Sequence, residues 1–367
     1  MSVNTVLLDF TLKSEDVLSD EQEEALCKVL SAAVPNVTKI NSVVLNDGGK
    51  LLLFTAAKES FITVRSFPKG VLTINIEYFK EDKEEQFFNF QPIAKLESDI
   101  AKVLGSLKSH NLPSLKRGGI ERYFPSSDER IFMYDIDSVV FEEKSPYQKV
   151  QILHSRTLGN LLILDGLQNL AEEDLIYTET LMQRGKESYE GKEIVILGGG
   201  DGALLYELLK EKPKNVLMFE LDDVVIRACR EHMRSCCGDV LDNLKGPNYE
   251  IIIGDCVKSL DEMIKDGRKF DYVFGDLTDV PVSCSPHGEL WDFIRMIINK
   301  SFQILKPTGK YMTHGTGAAS PAALRMFEEQ FSNLEEKVEF SKATAFVPSF
   351  LEFWVFYQLW RKADGGL

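Results

Sequence analysis

The sequence is poor in the residues that build metal centres and covalent cross-links. Its 367 residues include 6 cysteines and 5 histidines. Cys27, Cys229, Cys236, Cys237, Cys256 and Cys284 form no C-x-x-C pair, and the histidines are scattered. That spacing argues against a zinc site and a disulfide framework, so the expectation is no metal and a reduced, cytoplasmic setting. No apolar run approaches the ~20 residues of a membrane-crossing helix. The first ten residues carry Asp9 and no basic segment, which argues against a secretory leader and a membrane partner. Positive charge is scarce as well: 42 Lys and Arg against 57 Asp and Glu leave a net −15. A phosphate backbone wants a basic surface, so no nucleic-acid partner is expected, whereas a cationic ligand stays open.

The acidity is uneven. Residues 1–117 hold 14 basic and 16 acidic residues, residues 118–172 hold 5 and 9, and residues 173–367 hold 23 and 32. Length predicts two or three domains. At 44% hydrophobic and 27% charged residues, the chain has enough apolar material to fold. Residues 3–12 read as a strand, and Ser19 with Gln22 three residues on reads as a helix-opening capping box. Strand patterns follow at 38–46, 51–56, 61–67 and 71–77, the first two joined across Asn46-Asp47-Gly48-Gly49. A helical pattern runs over 93–107, and Asn111 to Gly119 reads as a linker. Residues 131–141, 148–154 and 160–164 predict a small antiparallel sheet.

From 173 the pattern alternates. Helices are predicted at 173–183, 202–211, 223–234 and 257–264, with strands at 193–197, 215–220, 249–253 and 270–275. That order implies a doubly wound parallel sheet, and two β-like runs after Lys337 suit added antiparallel strands. The fold class expected is α/β: a Rossmann-like catalytic domain (173–367), a small β-domain (118–172) and an α+β domain (1–117).

Ile194 to Gly202 (IVILGGGDG) joins a buried strand to a helix through a glycine turn that lets a ligand approach the backbone. Glu220 ends the next strand, where a carboxylate can accept both hydroxyls of a ribose. Asp255 and Asp276 end the third and fourth strands, again on the ligand-binding edge. Asp201 would repel a pyrophosphate at the helix N-terminus, which disfavours a dinucleotide. The G-x-G-x-G spacing is that of adenosylmethionine methyltransferases, yet Asp201 would also repel that cofactor's amino-acid carboxylate. It would attract a bare amine, which points to the decarboxylated form with an aminopropyl tail.

These residues, with Arg117-Gly-Gly-Ile-Glu-Arg-Tyr123, Tyr134-Asp-Ile-Asp137, Ser145-Pro-Tyr-Gln148, Leu197-Gly-Gly-Gly-Asp-Gly202, Cys237 to Gly246 (CGDVLDNLKG), Asp276-Leu-Thr278 and Pro348-Ser-Phe-Leu-Glu352, make a recognisable set. The chain resembles the polyamine aminopropyltransferases over essentially its whole length, and within them the spermine synthases of animal type. Spermidine synthases typically carry Asp-Ser-Ser-Asp-Pro where this chain has Asp276-Leu-Thr-Asp-Val-Pro281, and His where it has Thr178. The alternatives are formation of spermidine or thermospermine, and methyl transfer. The resemblance implies a homodimer through an N-terminal domain like that of adenosylmethionine decarboxylase. It implies spermidine and decarboxylated S-adenosylmethionine as substrates, with spermine and 5′-methylthioadenosine as products and no permanently bound cofactor.

The resemblance also implies roles. Asp276 would accept the proton of the attacking amine, ahead of Asp201, which would hold the aminopropyl amine and stay ionised at its helix N-terminus. Tyr177, Thr178, Phe350 and Glu352 would meet the acceptor amine, Glu352 at its distal nitrogen. Gln148, Gly198, Gly200, Glu220, Asp255 and Cys256 would line the nucleoside, with Asp222, Asp165 and Gln168 as further candidates. Four positions depart from the family pattern: Phe350 for Tyr, Gly275 for Asn, Ala203 for Gly, and Asp279 for a small residue.

Overall fold

Ser19 opens the first helix as its spacing predicts. Its side chain accepts from the Gln22 N–H, and the Gln22 side chain accepts from the Ser19 N–H. The computed structural model describes residues 2–57, 59–81, 88–277 and 288–363, in two compact units, Met1–Glu121 and Arg122–Leu367.

The first unit runs β1 (Ser2–Leu12), α1 (Asp20–Ala33), β2 (Thr38–Val44), β3 (Lys50–Ala56), β4 (Ser60–Phe67), β5 (Val71–Lys80), α2 (Phe90–Leu104) and β6 (Ser106–Arg117). Its six strands form one antiparallel sheet in the order β2-β3-β4-β5-β1-β6. Alternate residues such as Val6, Leu8 and Phe10 of β1 and Ile74 and Ile76 of β5 face one side. There they meet Leu26 and Leu30 of α1 and Ile93, Leu96, Ile100 and Leu104 of α2, which share one helical face.

Two expectations change in this unit. The helix expected to reach Leu107 stops at Leu104, because Gly105 takes the left-handed conformation that ends helices (φ 62°). The stretch expected to be a linker from Asn111 is mostly strand, ending at Arg117. Pro113 is tolerated because β6 is an edge strand and because the register with β1 shifts beside it, between Thr5–Leu115 and Leu7–Leu112.

The second unit begins with a short hairpin, β7 (Tyr123–Pro125) and β8 (Ile131–Met133). An antiparallel sheet follows, made of β9 (Ile136–Lys144), β10 (Lys149–Ser155), β11 (Gly159–Leu164) and β12 (Leu167–Ala171) in the order β12-β11-β10-β9. Then come α3 (Leu175–Leu181), β13 (Glu193–Gly198), α4 (Ala203–Lys210), β14 (Asn215–Glu220), α5 (Asp223–His232), α6 (Arg234–Cys237), β15 (Tyr249–Ile253), α7 (Cys256–Lys265) and β16 (Phe270–Asp276). The alternation continues beyond the elements expected from sequence with α8 (Glu289–Ile304), β17 (Leu305–Gly317) and α9 (Pro321–Ser332), and β18 (Val338–Val347) and β19 (Glu352–Arg361) are the two added strands expected after Lys337.

The seven strands order as β15-β14-β13-β16-β17-β19-β18. The first five are parallel, and β19 and β18 add on antiparallel. Inward residues of successive strands alternate between faces. Ile194 and Ile196 pack with α4 and α5, while Val195 and Leu197 pack toward α7, α8 and α9. The chain steps outward from β13 to β14 and β15, then returns to the other side of β13 as β16. The crevice of such a sheet opens where the order reverses, here between the carboxyl ends of β13 and β16.

Candidate active site

Gly198, the last residue of β13, pairs with Asp276, the last residue of β16, so turn and acid meet at the switch point. Gly198, Gly199 and Gly202 all have positive φ (85°, 75° and 78°). At Gly198 a Cβ would lie 2.1 Å from the Asp276 carbonyl oxygen, and at Gly200 one would lie 2.6 Å from a Glu220 carboxylate oxygen. Glycine is required at Gly198 by the β16 backbone and at Gly200 by the Glu220 side chain, which neighbouring strands bring against the turn.

Glu220 is held by the turn and by its own continuation. One oxygen accepts from the Gly200 N–H at 3.0 Å and the other from the Asp222 N–H at 2.9 Å. Burial pushes its pKa up against those two bonds. Asp222 caps α5 by accepting from the Val224 N–H at 3.0 Å. Its other oxygen accepts from Ser145 Oγ at 2.7 Å and Gln148 Nε2 at 3.1 Å. Gln148 is thereby tied to the start of α5. Asp255 caps α7, accepting from the Val257 N–H at 2.9 Å, and Gly254 just before it donates to the Glu220 carbonyl. Cys256 is half-buried, and burial pushes its thiol up to about 11.

Asp201 and Asp276 form the centre. Asp276 accepts from the Tyr177 hydroxyl at 3.0 Å. Asp201 Oδ1 accepts from the Ala203 N–H at 2.8 Å, at the start of α4. Asp201 is expected from sequence to stay ionised; burial first and then the Asp276 carboxylate push its pKa up to about 7. The short α4 and a single backbone hydrogen bond do not offset those two effects. Asp276 is also raised by burial, with His314 and the Tyr177 hydroxyl pulling the other way. Among the described residues neither acid forms an ion pair with lysine or arginine, and the Glu220 carboxylate adds a further upward push on Asp201.

Beyond this pair the wall is aromatic. Tyr177 packs edge-on against Phe356 at 5.1 Å and Phe350 at 6.1 Å, and Phe350 rests on Trp354 at 4.5 Å. The hydroxyl absent at Phe350 is replaced by an apolar contact. Glu352 closes this side, 5% exposed. It is already engaged, accepting from the Ser127 N–H and Oγ, each at 2.9 Å, with Arg130 3.5 Å away.

Some expected residues lie elsewhere. Thr178, next to Tyr177, is buried on α3, because one residue of helix turns its side chain by about 100°. No described side-chain hydrogen bond of Thr178 reaches the site acids. Asp165 accepts from the Lys149 N–H in a turn of the small sheet. Gln168 donates to the Tyr134 hydroxyl, which donates to the Ser349 carbonyl, and so supports the Phe350–Glu352 segment from behind. Ala203 begins α4. At Gly275 a Cβ would lie 2.0 Å from the Tyr311 hydroxyl, so Tyr311 fills the space the usual Asn would use. Thr278, Asp279 and Cys284 lie outside the described residues.

Sequence reasoning missed two side chains. Asp174, 1% exposed, accepts from the Ala171 N–H at 2.7 Å and the Ser349 N–H at 2.9 Å. It ties the start of α3, which carries Tyr177, to the turn before Glu352; burial pushes its pKa up. Its place before a helix was a visible capping signal, but the partner lies 175 residues away. His314 packs beside Tyr177 at 6.0 Å, its ring nitrogens 3.0 Å from the Gly315 carbonyl and 3.3 Å from the Leu277 carbonyl. Nothing local in the sequence announces that position. Among the described residues no group of three His, Cys, Asp or Glu is arranged to hold a metal, and no helix is long and apolar enough to cross a membrane.

A doubly wound sheet with a glycine turn, a carboxylate on the next strand and acids at the switch point defines the class of Rossmann-like, nucleoside-type sites. Comparison with known proteins narrows the class. Residues 174–365 match the spermine/spermidine synthase domain, and residues 122–172 match the spermidine synthase tetramerisation domain. The chain belongs to this family, the polyamine aminopropyltransferases. A polyamine aminopropyltransferase of Sulfurisphaera tokodaii is 35% identical over 229 residues, 60% of this chain and 71% of that protein. A thermospermine synthase of Arabidopsis thaliana is 30% identical over 233 residues, 62% of this chain and 66% of that protein. The crystal structure of spermidine synthase from Thermotoga maritima has the same fold, with TM-score 0.52 at 18% identity over 68% of this chain and 81% of that one.

Proposed function

We propose that this protein transfers the aminopropyl group of decarboxylated S-adenosylmethionine to spermidine, giving spermine and 5′-methylthioadenosine. The observation that carries the reading is the Asp201–Asp276 pair, with the Tyr177 hydroxyl on Asp276. Two buried acids, Asp276 raised by burial and Asp201 by burial and by the Asp276 carboxylate, form a site that gains from every cation it takes in. The sulfonium, the aminopropyl ammonium and the polyamine are such cations.

In this scheme Glu220 accepts from the ribose hydroxyls, Asp255 and the Cys256 backbone face the base, and Gln148 with Asp222 steadies Glu220. Gly198 and Gly200 let the nucleoside reach the turn. Asp201 holds the aminopropyl ammonium. The acceptor nitrogen must be neutral to attack, although a free alkylamine has a pKa of ~10. Asp276 takes that proton while Tyr177 orients the nitrogen. The nitrogen lone pair bonds to the methylene carbon next to sulfur, and the C–S bond breaks with its electrons going to sulfur. Sulfonium is a good leaving group, so holding nitrogen and carbon in line supplies much of the rate. Phe350 and Trp354 line the apolar stem of the amine and Glu352 meets its distal ammonium.

Spermidine is favoured over putrescine as acceptor by Asp276-Leu-Thr278 and Thr178. The competing reading, formation of spermidine or thermospermine, is favoured by the names of the relatives. We propose further that residues 1–117 form a homodimerising domain, 118–172 a small β-domain and 173–367 the catalytic domain of a cytoplasmic enzyme. The test is to incubate the protein with decarboxylated S-adenosylmethionine and either putrescine or spermidine, and to chromatograph the amines. Spermine from spermidine is the expected result; methylthioadenosine release with putrescine alone refutes the reading.

A further inference from the structure

The turn of the β7–β8 hairpin sits on Glu352, in a way the proposed chemistry does not require. Within the second unit, Ser127 is gripped from several directions. Its N–H and Oγ donate to the two Glu352 oxygens, and Ser320 Oγ donates to its carbonyl. Gly317 makes room for it, since a Cβ there would lie 2.1 Å from Ser127 Oγ. Three residues on, Arg130 places Nη2 3.5 Å from Glu352 Oε1. Its Nε donates to both oxygens of Asp128 at 2.7 and 2.8 Å, which fixes the guanidinium in place. The Glu352 side chain is 3% exposed and that of Arg130 is 54% exposed. Among the described residues this buried carboxylate thus faces one cation, which stands on the solvent side.

We propose that Arg130 is a specificity-determining residue: an internal counter-cation at Glu352 that the distal ammonium of a long acceptor amine must displace or share. The inference rests on the proposed polyamine site. Ser127 supplies neutral donors to Glu352 and leaves its charge unmatched. Arg130 matches it weakly, at a distance and orientation short of a bidentate pair. An amine long enough to reach Glu352 competes with Arg130 for the carboxylate; a shorter one never meets it. Arg130 therefore taxes long amines selectively, while the Ser127 clamp holds Glu352 in place for them.

The test is calorimetric titration of the full chain, loaded with 5′-methylthioadenosine, with spermidine and with putrescine. In Arg130→Gln, spermidine is expected to bind about two- to five-fold tighter, the range of a partly exposed ion pair, with putrescine unmoved. Arg130→Lys is expected to stay near the parent protein. In a Glu352→Gln background the Arg130 substitution is expected to change nothing, which a merely structural role would not produce. Equal or weaker spermidine binding in Arg130→Gln, or an equal gain for putrescine, overturns this proposal and leaves the polyamine site standing. Failure of the parent protein to bind either amine overturns both.

Discussion

Asp276→Asn separates the proton-accepting role from the rest of the site. The substitution keeps size and leaves an oxygen for the Tyr177 hydroxyl, now 3.0 Å from the carboxylate. It removes the only basic function placed beside the attacking nitrogen in the proposed scheme. A positioned general base is responsible for ~10²–10⁴ in rate, or about 3–5 kcal/mol of barrier. Methylthioadenosine, an uncharged thioether, meets Glu220 and Asp255 instead, so its affinity is expected to stay within about two-fold, the limit for separate sites. Tyr177→Phe gives a graded control. A neutral donor to a charged acceptor contributes about 1.5–3 kcal/mol, so a ten- to hundred-fold loss is expected. The assay is single-turnover formation of methylthioadenosine after rapid quench, with calorimetric binding of methylthioadenosine alongside. An Asp276→Asn rate within ten-fold of the parent protein refutes the assignment, and unchanged rate with lost nucleoside binding places Asp276 in the wrong half of the site.

Two further outcomes follow from the same geometry. Asp201 has a folded pKa of about 7 against an ordinary 3.8, so the fold binds its proton more tightly than the unfolded chain does. Its contribution to stability is present below pH 4 and is lost as pH rises toward 7, by at most about 1.4 kcal/mol per pH unit. Thermal unfolding of the ligand-free protein should show that slope, Asp201→Asn should flatten it, and an unchanged slope in the variant contradicts the pairing of the two acids. Gly275→Ala forces a methyl against the Tyr311 hydroxyl and is expected to cost ~1–3 kcal/mol in urea unfolding. Tyr311→Phe in that background should recover part of the loss, and simple additivity of the two changes rules out the steric account.

Much of the fold was legible from local pattern. The capping box at Ser19, the glycine turn and the carboxylates ending successive strands are short-range signals, because each depends on residues a few positions apart. The resemblance to the aminopropyltransferases supplied names for the roles, and membership of the family now stands on the match over residues 174–365. The failures were non-local. A Pro inside an apparent linker proved to be an edge-strand residue, because a sheet neighbour more than 100 residues away accepts the bulge. Gln148, expected beside the nucleoside, donates to Asp222, 74 residues away, a partner that no local pattern shows. Thr178 stood beside Tyr177 in sequence, yet a helix sends neighbouring side chains to different faces.

By itself the sequence determined the alternating β and α elements, the turn that must be glycine, and which strands end in acid. Those follow from backbone sterics and from the burial of every apolar stripe. Only the tertiary structure decided the electrostatic state of the site. Placing β16 beside β13 puts Asp276 against the glycine turn, where Asp201 can no longer rely on its helix N-terminus to stay ionised. Bringing β19 beneath the β7–β8 turn gives Glu352 its partners Ser127 and Arg130, more than 220 residues away in the chain. A carboxylate's charge and reach depend on what surrounds it in space, and that is set by strand order and packing.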